Sequence, residues 1–168
     1  MTLAEAAAQA DSLAESGSEQ ELSKLRAEWS DEIESAARHA DYRERAVAYR
    51  AIGQFRFRQK TELLRRGLED ESPSCRGSAL ISIERLSRDS PGVVNNVRPL
   101  LHKLVNEDPN GAVRKLAAVS LKNGSPQRET IVLLAGLSED DRLDRDLREV
   151  AAKVSAQLKK RAGPGNTR

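Results

Sequence analysis

An arginine stands three residues before an alanine at Arg45/Ala48, Arg76/Ala79, Arg114/Ala117 and Arg148/Ala151. Successive arginines are 31, 38 and 34 residues apart (76−45, 114−76, 148−114), each near the start of a helix-like stretch. A small motif returning at such intervals predicts stacked helical hairpins, because one hairpin buries its apolar face only against its neighbours. Composition agrees. Hydrophobic residues make up 38% of the 168 residues but aromatics only 3%. The core must therefore come from Leu, Ile, Val and Ala, which suit helix-on-helix packing.

Helix punctuation is legible. Thr2 with Glu5 and Ser18 with Glu21 read as capping boxes. Ser72-Pro73, Ser90-Pro91, Asp108-Pro109 and Ser125-Pro126 each set a capping residue before proline, whose missing N–H is harmless in a first helical turn. Ser138-Glu139-Asp140-Asp141 offers acids to the positive end of a helix dipole. These signals predict a lead helix within 1–17 and paired helices over 18–160: 18–39 with 41–57, 59–69 with 73–88, 91–106 with 109–122, and 126–137 with 140–160. Residues 161–168 read as a disordered tail.

Three-and-four spacing supports the pairing. Leu63, Leu64 and Leu68 precede Ala79, Leu80, Ile83 and Leu86, and Leu100, Leu101, Leu104 and Val105 precede Val113, Leu116, Ala117 and Leu121. An acid, a short gap, then Arg-x-x-Ala after a leucine-rich helix resembles the HEAT repeat family, in its short bacterial form. The pattern is clearest at Asp70…Arg76…Ala79 and Asp108…Arg114…Ala117, and looser at Asp41…Arg45…Ala48 and Asp140…Arg148…Ala151. The resemblance covers about residues 34–158. It implies an all-α fold, a right-handed α-solenoid of about four stacked hairpins with an N-terminal capping helix. In that family the recurring Asp and Arg tie turns together, so Arg45, Arg76, Arg114, Arg148, Asp70 and Asp108 read as structural. Such a fold presents surfaces and leaves function open.

Little in the sequence points to catalysis, so no enzyme activity and no cofactor are expected. His39 and His102 lack ligand-like partners at helical spacing, and one cysteine adds little, so no metal site is expected. No phosphate-binding glycine loop or nucleophile elbow is visible. No run reaches the roughly 18 apolar residues of a membrane span. Met1-Thr2-Leu3-Ala4-Glu5 does not read as a secretory leader, and a single cysteine, Cys75, fits a reducing compartment, so a cytoplasmic location is expected.

The charge is uneven. Residues 1–41 hold ten acids and three bases, whereas 42–66 hold eight bases and two acids. Both tyrosines and both phenylalanines also fall between 42 and 57, interleaved with arginine. The acidic lead is expected to cover Tyr42 and Tyr49, with Trp29, Leu22, Leu25 and Ile33 sandwiching them and acids pairing with Arg43 and Arg50. Arg56, Phe57, Arg58, Lys60, Arg65 and Arg66 lie further along and are expected to stay exposed as the partner-binding surface. The leading expectation is a non-enzymatic interaction module that binds an acidic protein surface. The alternative is nucleic-acid binding through Arg43–Arg66, including a HEAT-like DNA glycosylase, for which Trp29, Tyr42 and Asp41 are the candidate cleft residues. Against it, residues 67–168 carry 17 bases and 14 acids and show no continuous basic track.

Overall fold

The computed structural model describes residues 1–164, and among these no strand occurs. The helices are α1 (Leu3–Glu15), α2 (Glu19–Ala36), α3 (Tyr42–Gln54), α4 (Thr61–Leu68), α5 (Pro73–Ser87), α6 (Gly92–Asn95), α7 (Arg98–Glu107), α8 (Gly111–Leu121), α9 (Arg128–Ser138) and α10 (Arg145–Ala162). A 3-10 turn at Arg58–Lys60 leads into α4. Contacts divide the chain into two compact units, Met1–Leu86 and Ser87–Arg168. Among the described residues no helix is long and apolar enough to cross a membrane.

In the first unit, α1 begins with the expected capping box. Glu5 N–H donates to Thr2 Oγ1 at 3.2 Å and Thr2 N–H to Glu5 Oε2 at 2.7 Å. Ala6, Ala7 and Ala10 are fully covered, and their small side chains let α1 lie close to α2 and α3. Gly17, at φ 74°, closes the helix: Ser18 N–H donates to Leu13 O and Gly17 N–H to Ala14 O. The second capping box does not form, because Ser18 Oγ pairs with Ser16 Oγ at 3.0 Å instead. Leu22, Leu25, Trp29 and Ile33 bury one stripe of α2. Asp41 caps α3 by accepting from Arg43 N–H at 2.9 Å. Deeper in the unit α3 meets α5 almost backbone to backbone. Ser82 Oγ accepts from Gly53 N–H at 2.9 Å and donates to Tyr49 O at 2.5 Å. A Cβ at position 53 would stand 2.8 Å from Ser82 Cα, so only glycine fits.

In the second unit α7 packs on α8, α9 on α10, and α10 on α8. The helix expected over 91–106 is broken at Asn96-Val97 into α6 and α7. Pro99 explains the break, since it cannot donate the N–H that a continuous helix needs there. The helix expected from 109 starts at Gly111, capped by Asn110 Oδ1, which accepts from Val113 N–H at 3.1 Å. The last helix starts at Arg145 rather than 140, because Asp140 folds back to accept from Arg142 N–H at 3.1 Å and from its guanidinium at 2.9 Å. It continues through Ala162, so the tail expected from 161 starts later; residues 165–168 of it lie outside the described residues. This core is aliphatic: Leu101, Ala117, Ala118, Leu121, Leu134 and Leu158 are fully covered. Trp29, Tyr49, Phe55 and Phe57 are all buried in the first unit.

Three of the four recurring arginines do one job, reaching back over the preceding turn to backbone carbonyls at or just beyond a helix end. Arg45 Nη1 donates to His39 O at 3.0 Å and Ala40 O at 2.9 Å. Arg76 Nη1 donates to Asp70 O at 3.0 Å and Glu71 O at 3.2 Å. Arg114 donates from Nε to Val105 O at 2.8 Å and from Nη2 to Asn106 O at 3.2 Å. Arg148 departs from the series, and its buried Nε has no hydrogen-bond partner. Asp70 and Asp108 hold their own turns, accepting from Ser72 N–H and Asn110 N–H, each at 2.9 Å. Arg45 also grips Asp70 through two parallel bonds, Nε–Oδ2 at 2.9 Å and Nη2–Oδ1 at 3.0 Å.

Candidate functional site

The cations of 42–66 separate into an internal set and an exposed set. Arg56 belongs to the first. It occupies the position after α3 at φ 53°, where Arg56 N–H donates to Gly53 O and Phe57 N–H to Ile52 O. Its Nη1 donates to Asp11 Oδ1 at 2.7 Å and to Gly53 O and Gln54 O at 2.9 Å, and its Nη2 to Glu15 Oε1 at 3.0 Å. Glu15 also accepts from Arg85 Nη2. Lys60, 8% exposed, lies 2.8 Å from Glu34 Oε1, with Nζ 4.8 Å from the centre of the Phe57 ring. Its hydrogen bond leads the effects that hold the Glu34 carboxyl below the usual range. Phe57 is 9% exposed and tilts against Phe55, ring centres 6.3 Å apart.

These positions correct the expectation that Arg56, Phe57 and Lys60 form an exposed surface. The acidic lead covers them, through Asp11 and Glu15 on α1 and Glu34 on α2. Arg26 Nε adds a bond to Phe55 O at 2.7 Å. Tyr49 is 3% exposed, with its hydroxyl 3.4 Å from Ala37 O after α2 and its ring beside Gly67 of α4, whereas Tyr42, expected to be covered by the lead, is 48% exposed. Arg43 pairs with Asp41 in its own turn rather than with the lead, and its Cζ lies 6.0 Å from the Tyr42 ring centre. That pairing, chiefly the Arg43 side-chain bond, lowers the Asp41 pKa. Cys75 is buried as a small core residue, its thiol 3.2 Å from Tyr42 O and its pKa pushed up by burial.

Arg43, Arg50, Arg58, Arg65 and Arg66 are exposed. Arg65 Nε lies 3.8 Å from Glu62 Oε1. Arg66 helps to line a pocket of about 500 Å³ where the α2–α3 turn faces the α4–α5 turn. The pocket's buried side is Tyr49 with the Arg45–Asp70 pair, and its exposed side is Arg38, His39, Arg66 and Glu71. Burial pushes the Asp70 carboxyl up, but the bonds from Arg45 and Ser72 and the Arg45 charge outweigh it and hold it below the usual range. Sequence reasoning weighed His39 only as a metal ligand and passed over Arg38. They follow the end of α2 and meet Arg66 only through the turn-to-turn fold, so no local spacing signals them.

The second unit holds a different polar cluster. Arg98, 5% exposed, donates from Nη1 to Thr130 Oγ1 at 2.7 Å and from Nη2 to Asn95 Oδ1 at 2.5 Å and Ser125 O at 3.1 Å. Its Nε has no partner. Thr130 Oγ1 also lies 2.8 Å from His102 Nε2, and His102 Nδ1 lies 4.0 Å from Glu129 Oε1. Burial, assisted by Arg98 and opposed by Glu129, pushes the His102 pKa down. Burial likewise lowers that of Arg98. Among the described residues no group of three or more His, Cys, Asp or Glu side chains is placed to hold a metal ion. The chain matches no model of a known protein family, and no curated protein matches it at a significant level.

Proposed function

We propose that the chain is a HEAT-like α-solenoid, a non-enzymatic interaction module that binds an acidic protein surface through the exposed cations of its first unit. The exposure of Arg50, Arg58, Arg65 and Arg66, after Arg45, Arg56 and Lys60 have been taken up internally, is the observation that carries this reading. Arg45, Arg76 and Arg114 support the repeat assignment, since these three of the four recurring arginines make the same backward reach. Exposed Tyr42, with Arg43 near its ring, adds the amphipathic aromatic contact that interfaces favour. On this reading the protein works in the cytoplasm, where a thiol such as Cys75 stays reduced.

Replacing Arg50, Arg58, Arg65 and Arg66 by glutamate tests the reading, with circular dichroism as the check that the helices persist. Wild-type protein is expected to bind a polyglutamate chain and the variant to lose it. Duplex DNA binding by the wild type is expected to be gone by about 0.2 M salt, where exposed charges are strongly screened. Retained polyglutamate binding by the variant overturns the site. Tight DNA binding that persists near 0.15 M salt with a steep salt slope replaces the protein partner by nucleic acid.

A further inference from the structure

The pocket between the α2–α3 and α4–α5 turns carries more chemistry than an exposed basic patch. Its acids and bases are not equally available. Asp70 accepts two bonds from Arg45 and one from Ser72 N–H, so its charge is matched in place. Arg45 is equally committed, with Nε and both Nη groups engaged on Asp70, His39 O and Ala40 O. Three donors remain on the exposed side. Arg66 has no ion-pair partner among the described residues. Arg38 uses Nη1 on Glu34, at 3.1 Å from both its carbonyl and carboxylate oxygens. His39 Nδ1 accepts from Asp41 N–H at 2.9 Å, which fixes the neutral ring's proton on Nε2. Glu71 is the second acid of the lining; its side chain is 92% exposed and makes only a long ion pair, 3.9 Å from Arg45 Nη2.

We propose that this pocket seats an oxyanion, a carboxylate or phosphate group of the acidic partner, on Arg38, Arg66 and the Nε2–H of His39. The inference rests on the reading of the first unit as the binder of an acidic partner and names the group that is bound. Two guanidinium groups and an imidazole N–H form a donor set suited to tetrahedral or planar oxyanions. The matched Arg45–Asp70 pair gives it a neutral, fixed wall.

The chain has two histidines, which makes the test direct. Inorganic phosphate, a glutamate-rich peptide and a phosphoserine peptide are titrated separately into the full chain at constant pH, with the ring protons of both histidines followed by NMR. His39 is expected to shift saturably while His102, in the other unit, stays still. Arg66→Gln should weaken binding about tenfold through loss of a charge-assisted bond. Glu71→Gln should tighten it about twofold by removing a nearby like charge, a gain that a merely structural role would not give. The tighter of the two peptides identifies the source of the oxyanion. No saturable shift at His39 with any probe, or equal shifts in wild type and Arg66→Gln, overturns the inference. If the polyglutamate chain still binds in that case, the wider surface stands without the pocket. If phosphate saturates His39 but no acidic chain binds, the acidic-protein reading falls and a site for small oxyanions remains.

Discussion

Arg56 takes a left-handed backbone conformation that glycine tolerates and that costs other residues about 1 kcal/mol. Its guanidinium offsets that strain by capping the α3 carbonyls and holding α1 through Asp11 and Glu15. Arg56→Gly and Arg56→Ala both lose these bonds, but only alanine keeps the strain. Alanine is therefore expected to be the less stable variant by about 1 kcal/mol, with both below wild type in urea titrations. A glycine variant as stable as wild type would show that the bonds of Arg56 do no more than offset its strain. The same residue marks where sequence reading stopped. Alternating aromatics and arginines did place a charged, aromatic segment beside an acidic lead. Which acid reaches which base depends on contacts between residues 26 to 45 apart, such as Lys60–Glu34 and Arg56–Asp11. Local spacing carries no record of them.

Helices were legible where a capping signal and an apolar stripe agreed, as at Thr2 and Pro73. They were misplaced where polar side chains bonded loops instead of helix ends. Asp140 chose Arg142, with Nε–Oδ1 at 2.9 Å. Helix packing gives a sharper test than helix boundaries, through two glycines of opposite circumstance. A Cβ at Gly53 would meet Ser82 Oγ at 2.7 Å and Cα at 2.8 Å, whereas one at Gly136, exposed on α9, meets nothing within 4 Å. Gly53→Ala is expected to push α3 from α5 and lose about 1–3 kcal/mol. Gly136→Ala should gain up to about 1 kcal/mol from helix propensity alone. Thermal midpoints that move in the same direction for both would remove the close α3–α5 approach from the account.

At the scale of the molecule, the two units answer acid in different windows. In the second, partly buried His102 has a pKa below its ordinary 6.5. As pH falls through that value the unfolded chain takes up the proton first, so stability declines until the folded ring protonates too. In the first, Asp70 and Glu34 are held below their ordinary 3.8 and 4.5. Their contribution is present above those values and lost as pH falls through the lowered ones. Urea midpoints read on amide signals of α7 and α9 should fall between pH 7 and 5, and His102→Gln should level them. A level wild-type profile over that range would rule out the histidine. The placement of the aromatic side chains governs how such experiments can be read. Trp29, both tyrosines and both phenylalanines belong to the first unit, and residues 87–168 contain none. Near-ultraviolet absorption, emission and dichroism therefore follow Met1–Leu86 alone. To those methods the second unit is dark: it could unfold completely while every optical trace of aromatic packing stayed level.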